Sequence, residues 1–496
     1  METFANLAGG FATALTAVNL FYCFAGVAMG TLIGALPGLG AMLGIALLLP
    51  LTMYLTPEAA IIMLAGIYYG GEYGGSISAI LINVPGTPSS TVATLDGHAM
   101  TKQGRAAVAL FASAMASFIA GSVGIILMML FSPLIAKIAL SFGSVEYFAV
   151  MLLGLVGAAA VASGSRLNAL VAVLMGVVFG TVGTDISSGV QRFTLGFPEF
   201  ISGISLVALA MGIFGFAEIA CSHTTSISDK SSSKIRLRDM LPTRDEVRRS
   251  FGPLFRGTAL GALLGALPGT GPTIASFMAY AQERRVSRHG DQFGKGAIEG
   301  IVAPESANNA AAQTAFIPTL TLGIPGTATM ALILGALIVQ GIQPGPRMMV
   351  ENANLFWALI ASFWIGNLFL LVLNIPLVGL WVKLVRVPYR FLFPSIICLI
   401  SVGVYSIDLN TFGVLVVTGI GLIGCLMRAA AIPAAPFLMG FILGPLMEEN
   451  LRRALQLSRG SFVDFLSSPI AAVCFALTAL ALLLPIAAAL VAMRRT

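Results

Sequence analysis

Gly30-Thr31-Leu32-Ile33-Gly34-Ala35-Leu36-Pro37-Gly38-Leu39-Gly40 is answered 231 residues later by Gly261-Ala262-Leu263-Leu264-Gly265-Ala266-Leu267-Pro268-Gly269-Thr270-Gly271, with eight of the eleven positions identical. A second pair follows the first: Val84-Pro85-Gly86-Thr87 and Ile324-Pro325-Gly326-Thr327, 240 residues apart. Proline removes a backbone donor and clashes with the preceding helical turn. Glycine adopts conformations closed to other residues. Together they break a helix. Interruptions at matching places in two halves of an apolar chain are the best sequence pointer to a transporter's binding site.

The rest of the composition agrees with a membrane setting. The chain has 496 residues, of which 57% are hydrophobic and 10% charged, against about 25% charged in soluble domains. Mean hydropathy is +0.94. Lipid must therefore be the solvent, and helices are the economical way to satisfy the backbone there. The net charge of +6 is accounted for by basic loops that orient membrane proteins, so no nucleic-acid partner is expected. Cys23, Cys221, Cys398, Cys425 and Cys474 are scattered without a CxxC pair, which signals neither a metal site nor a disulfide framework. His98, His223 and His289 sit in polar segments that carry Lys or Arg and read as solvated loop residues. No HExxH or Walker A string is present, so neither zinc nor nucleotide chemistry is indicated. Met1 to Gly30 lacks Lys and Arg and reads as the first transmembrane helix rather than a leader.

Apolar stretches of spanning length fall at 11–33, 58–82, 107–136, 146–164, 167–185 and 199–220, then at 257–280, 297–322, 327–343, 354–382, 389–405, 409–428, 432–447 and 467–493. With half-helices and re-entrant hairpins among them, roughly 10 to 12 transmembrane helices are expected. The expected fold is an all-α polytopic membrane protein of two inverted-topology repeats, residues 1–220 and 257–496. Between them, residues 221–256 carry eight basic and four acidic residues behind a Ser-rich start, which reads as a flexible cytoplasmic linker. Basic residues follow the second GALPG copy (Arg284, Arg285, Arg288, Lys295) but not the first. After the Pro-Gly-Thr motifs the bias reverses, with Lys102 and Arg105 against Arg347 alone. Opposite charge bias at matching points is what inverted halves produce.

Several residues in these motifs suit a binding site. Helix breaks at Pro37/Gly38 and Pro268/Gly269 free amides and carbonyls, and a half-helix N-terminus suits a carboxylate. Tyr69-Gly70-Gly71-Glu72-Tyr73-Gly74-Gly75-Ser76 leads into Asn83 and the first Pro-Gly-Thr, and Pro304-Glu305-Ser306-Ala307-Asn308-Asn309 precedes the second. Side-chain and backbone contacts to substrate are expected from Asn83, Pro85, Gly86, Thr87, Ser306, Asn308, Asn309, Pro325, Gly326 and Thr327. Oxygen ligands suit sodium, and Glu72, Ser76, Thr270 and Glu305 are the candidates for cation coupling. Of the carboxylates near membrane depth (Glu58, Glu72, Asp185, Glu299 and Glu305), Glu58 and Glu299 fit an interfacial position. A kink packed by small residues is the plainer alternative for a single break, but two copies in register favour a site.

The doubled GALPG-x-G, the Tyr-Gly-Gly-x-Tyr-Gly-Gly-Ser stretch ending in Asn-Val-Pro-Gly-Thr-Pro-Ser, and Pro-Glu-Ser-Ala-Asn-Asn-Ala resemble the tripartite tricarboxylate transporter family over nearly the whole chain. The similarity is to its large membrane subunit, TctA. The resemblance implies a multi-pass protein of the bacterial inner membrane that imports small di- or tricarboxylates. It implies two partners, a periplasmic solute-binding protein and a small membrane subunit of about four helices. It also implies uptake driven by a sodium or proton gradient, with no cofactor. Neither site motif contains Lys or Arg, and helix ends supply only about 0.3–2 kcal/mol each, so bound cations are the expected neutraliser of an anionic substrate. A stand-alone carboxylate carrier or an anion channel is the alternative. An intramembrane enzyme would need a nucleophile–base set or metal cluster at depth, and no histidine lies in an expected span.

Overall fold

The computed structural model describes residues 2–162, 164–185, 188–221, 237–267, 269–377, 379–381, 389–461 and 463–493. Among the described residues the chain is a set of helices with one short pair of strands. The first half contains α1 (Glu2–Ala14), α2 (Ala17–Ala35), α3 (Gly40–Thr52), α4 (Pro57–Ile82), α5 (Ala93–Lys102), α6 (Ala106–Ala139), α7 (Ser144–Val161) and α8 (Arg166–Gly180). Strands β1 (Gly183–Thr184) and β2 (Gln191–Arg192) pair antiparallel, and α9 (Leu206–Ala220) closes the half. The second half contains α10 (Arg244–Gly265), α11 (Gly271–Val286), α12 (Glu299–Thr314), α13 (Phe316–Leu322), α14 (Ala328–Val339), α15 (Ala353–Asn374), α16 (Tyr389–Asp408), α17 (Thr411–Ala429), α18 (Ala434–Leu457) and α19 (Pro469–Met493). Among the described residues four helices, α2, α6, α15 and α17, have the length and hydropathy to cross a membrane, and seven shorter apolar helices accompany them.

Local chemistry sets the starts. The Thr16 and Thr56 hydroxyls accept the N–H of Asn19 and Ala59 at the heads of α2 and α4, the usual N-cap contact. Thr243 and Glu246 form a reciprocal capping box on α10. That box starts the helix at Arg244, inside the stretch read as linker, because Arg249 then pairs with Glu299 and Arg256 with Glu283. The expected first span at 11–33 is instead two helices, since Thr16 caps a new helix after α1. Residues 222–236 of the linker lie outside the described residues.

The core of each half is a three-helix unit. Helices α2 and α4 run parallel, in contact through Gly26, Gly30 and Gly34: a Cβ on each would meet the carbonyl oxygen of Met63, Ile67 and Gly71 at 2.3, 2.4 and 2.3 Å. Helices α10 and α12 repeat this through Gly257, Gly261 and Gly265 against Ala303, Ala307 and Ala311, at 2.3, 2.2 and 2.4 Å. Small residues at every fourth position let backbones approach this closely where no hydrophobic force draws helices together. Helix α3 folds back along α4, with Ala41 beside Gly71 and Gly44 beside Ile67, so α2 and α3 form a hairpin with its tip at Leu36–Leu39.

The two units cross in opposite senses. Tyr68 of α4 stacks near Phe316 at 5.9 Å, while Ser76, two turns later, reaches back to Glu305 at 2.7 Å. Rising numbers on α4 thus meet falling numbers on α12 and α13, which is the inverted repeat. The interior is one large apolar cluster that includes α4, α9, α14, α15 and α18. Glycines let α8 and α18 meet, Gly176 and Gly180 lying against Phe437 and Phe441.

Ion pairs mark the two faces. On the linker face Arg105 pairs with Glu246, Arg249 with Glu299, and His289 Nδ1 lies 3.0 Å from Glu299. Buried Asp96 accepts the N–H of Gly294, Gly296 and Ala297 at 2.8–2.9 Å and the Tyr280 hydroxyl. On the opposite face Asp185 sits 3.1 Å from Arg452, and Arg192 pairs with Glu448, tying the strand pair to α18. The cysteines depart from expectation. Cys221 and Cys425 are joined as a disulfide, because α9 and α17 pack lengthwise and bring together residues 204 apart in sequence, a separation no spacing rule detects.

Candidate functional site

Each half closes its tip in the same way, through the main chain. In the first, Gly38 at φ +76° donates its N–H to the Pro85 carbonyl at 3.4 Å. In the second, Gly269 at φ +88° donates to the Gly326 carbonyl at 2.9 Å. The chain reaches these turns through a left-handed residue at the end of the long helix: Asn83 at φ +61° and, 240 positions on, Gly323 at φ +71°. Asparagine is among the few side-chain-bearing residues that tolerate this region. Asn83 is exposed and terminates α4, so the structure gives it a backbone task. Gly86 completes the first turn by donating to Gly75 O at 3.3 Å.

Where the first tip and turn meet there is a cavity of about 320 Å³ lined by Gly38, Gly40, Glu72, Pro85, Gly86 and Thr87. Its wall also holds Ala41, Met42 and Leu43 of the first turn of α3, Phe214 and Glu218 of α9, and Thr329 of α14. Glu218 stands three residues before the linker, so the cavity leads from the linker face to the tip. The first turn of α3 faces it with amides that have no intrahelical partner and with the positive end of the helix dipole. Pro37 forms the bend of the tip beside this wall.

Behind the cavity lies a buried polar cluster. Glu72 accepts a short hydrogen bond from Ser89, whose hydroxyl is 2.9 Å from Thr87 Oγ1. Glu305 accepts from Ser76 at 2.7 Å and Ser117 at 3.3 Å, and Asn309 donates to Ser117 at 2.7 Å and to its own helix at Glu305 O. Asn308 is fully buried beside Glu72, and neither its amide nitrogen nor its oxygen has a hydrogen bond of normal geometry. Of the five carboxylates singled out in the sequence, Glu299 and Asp185 have cationic partners at the faces and Glu58 is in the half-buried first turn of α4. Glu72 and Glu305 are the two buried ones that no Lys, Arg or His meets among the described residues. Burying an ion without a counter-charge costs several kcal/mol, so these groups call for a proton or a metal cation.

The remaining candidates have local roles. Thr327 caps α14 by accepting Met330 N–H at 3.1 Å, Ser306 bonds Val302 O at 2.7 Å within its helix, and Thr270 closes its own turn on the Leu264 and Leu267 carbonyls. Pro325 and Gly326 belong to the second lock, and Gly269 lies against Gly157 of α7. Pro268 lies outside the described residues. The first half's tip thus lines the cavity, and the second half reaches it through Thr329. Ser89 and Ser117 were not among the residues singled out in the sequence, whereas the amides opening α3 follow the Pro37/Gly38 break expected there. Neither serine is near its carboxylate in sequence: Ser89 follows Glu72 by 17 residues, in the turn after the first Pro-Gly-Thr, and Ser117 reaches Glu305 from another helix, 188 residues away.

Comparisons with known proteins follow this geometry. Residues 20–439 match the family described as Tripartite tricarboxylate transporter TctA family. The chain is 50% identical over 472 residues, 95% of its own length and 94% of the relative's, to the "Uncharacterized 52.8 kDa protein in TAR-I ttuC' 3'region" of Agrobacterium vitis. It is 54% identical over 212 residues, 43% of its length and 88% of the relative's, to the "Uncharacterized protein in TAR-II ttuC' 3'region" of the same organism. No solved structure matches it.

Proposed function

The chain belongs to the tripartite tricarboxylate transporter TctA family, and on that premise we propose that it is the large permease subunit of a binding-protein-dependent importer of small carboxylates in the bacterial inner membrane. Its partners are a periplasmic solute-binding protein and a small membrane subunit. The observation that carries this reading is the cavity at the first tip. There the first residues of α3, Ala41 to Leu43, and Glu72 line one space of about 320 Å³, within the usual range for small-molecule sites.

The carboxylate of the substrate is met by the α3 amides and the Gly38–Gly40 backbone, and its remaining charge by a cation held at Glu72. Asn308, buried beside Glu72 with no hydrogen bond of normal geometry, turns its amide to the substrate or to the cation's shell. Glu305, held by Ser76 and Ser117, sits behind Glu72 in the opposing repeat and carries the coupled charge across the interface between halves. Sodium or a proton supplies the driving force, and the protein requires no cofactor.

The test is tracer uptake by the full chain with both partners in proteoliposomes. Uptake is expected to depend on an imposed sodium or proton gradient, to fall at least about tenfold in Asn308→Ala, the loss of a charged-group hydrogen bond of about 1.5–3 kcal/mol, and to lose its gradient dependence in Glu72→Gln. Full uptake without any gradient, or wild-type behaviour in both variants, overturns the reading.

A further inference from the structure

A second cavity, of about 610 Å³, opens at the other ends of the helices. Its walls are the end of α6, the α6–α7 turn, the end of α13 at Leu322–Gly323, the loop through Gln343 and Arg347, and the last turns of α18. Arg105 precedes α6 on the linker face, and α6 then runs 34 residues to Ala139, about 50 Å at 1.5 Å per residue. The cavity is therefore on the face opposite the linker. Its floor at Gly323 is the left-handed residue that leads into the second Pro-Gly-Thr turn.

Two arginines reach it. Arg453 is held by a close ion pair with Glu449, itself in the wall. Arg347 is exposed and has no carboxylate partner among the described residues, with Tyr147 as its near neighbour. The internal repeat shows that this is unusual. Gln103-Gly104-Arg105 after the first Pro-Gly-Thr corresponds to Gln343-Pro344-Gly345-Pro346-Arg347 after the second, the glutamines being 240 residues apart. Arg105 is neutralised by Glu246 of the other half. The residue that matches Glu246 at the 231-residue offset is Leu15, so inversion offers Arg347 no carboxylate. The first repeat's arginine is met by a carboxylate of the other half, and the second repeat's lines an open cavity.

We propose that this outer cavity is a second anion site, in which Arg347 receives a carboxylate of the substrate before it passes toward the second turn. The inference rests on the carboxylate reading above and adds a capture step. An open guanidinium fork matches a carboxylate bidentately, and it supplies the positive charge that both membrane-depth motifs lack. Glu449 stays paired with Arg453, and Glu146 is turned to the Gly143 N–H at the start of α7, so Arg347 is the guanidinium of this wall that no carboxylate pairs among the described residues.

Gln343→Cys in a Cys398→Ser background of the full chain, reconstituted in liposomes, places a thiol in this wall. The probes are the anionic 2-sulfonatoethyl and the cationic 2-trimethylammonioethyl methanethiosulfonates, with citrate, malate and succinate as competitors. Arg347→Gln is expected to slow the anionic reagent on the order of fivefold relative to the cationic one, an effect that shrinks with salt. At least one competitor is expected to protect the thiol from the anionic reagent, and Arg347→Gln to abolish that protection while Arg347→Lys restores part of it. Equal reagent rates in wild type and Arg347→Gln, or no protection by any competitor, overturn the proposal. Protection by the solute-binding protein alone overturns it too, by assigning Arg347 to docking. Uptake measured on the same liposomes after both partners are added separates the two readings: protection without uptake removes the importer and leaves the site, and uptake without protection does the reverse.

Discussion

At the residue scale, the same side-chain type does different work according to the backbone beneath it. Asn83, Asn308 and Asn309 all read as polar residues in apolar spans. Asn83 holds a left-handed turn, Asn309 braces the Glu305 network, and Asn308 lies buried beside Glu72 without a hydrogen bond of normal geometry. Asn83→Gly is expected to leave uptake within about twofold of wild type, while Asn83→Ala lowers stability by about 1–2 kcal/mol, the cost of the left-handed region for an ordinary residue. Thermal unfolding in detergent beside an uptake assay checks both; loss of uptake in Asn83→Gly with unchanged stability would return Asn83 to the site. The break was legible in sequence because Pro and Gly act through the backbone. The division of labour among asparagines was not, because it depends on a φ angle and on which helix face meets α6.

At the scale of elements, the glycine stripes decide where the carboxylates stand. Gly257, Gly261 and Gly265 seat α12 on α10, and that seating brings Glu305 to Ser76 of α4. A Cβ at Gly261 would lie 2.2 Å from Ala307 O, an overlap that only separation of the helices relieves. Gly261→Ala is expected to destabilise the protein by about 1–3 kcal/mol, as overpacking does, and to impair uptake by moving Glu305. An unchanged unfolding temperature with normal uptake would show that α10 and α12 have slack. Sequence reading took these glycines as part of a repeated string, although their spacing of four already described a close helix pair. The α10 boundary was missed for a different reason: its first three turns are too charged to read as a span, and ion pairs to α11 and α12 hold them.

At the scale of the whole molecule, the halves are joined on the linker face through Arg105 and Glu246. Burial pushes the Glu246 carboxyl up, but the Thr243 N–H, the Arg105 guanidinium and the Thr243 hydroxyl outweigh it and hold it below its ordinary value of 4.5. A carboxyl whose folded value is depressed stabilises the fold above its unfolded value, and that contribution is lost as pH falls through the folded one. Wild type is therefore expected to be more stable than Glu246→Gln at pH 7, with the gap closing below about pH 4.5. Unfolding temperatures of both proteins from pH 7 to pH 3.5 test this; a gap independent of pH would assign the effect to packing. The inverted architecture itself was readable from loop charges, since these record which loops stay with the basic face. The packing of Gly269 of the second tip against Gly157 of α7 was not, because it joins residues 112 apart in sequence.

Both tips are fastened by main-chain atoms, Gly38 to Pro85 and Gly269 to Gly326. A joint made of backbone is indifferent to the side chains beside it. Met42, Phe214 and Thr329 in the wall are therefore free to drift under selection for a different cargo while the joint stays intact. On the proposed reading of this cavity, the fold separates a fixed joint from an adaptable lining, and exchanging the lining alone is expected to change which carboxylate is taken.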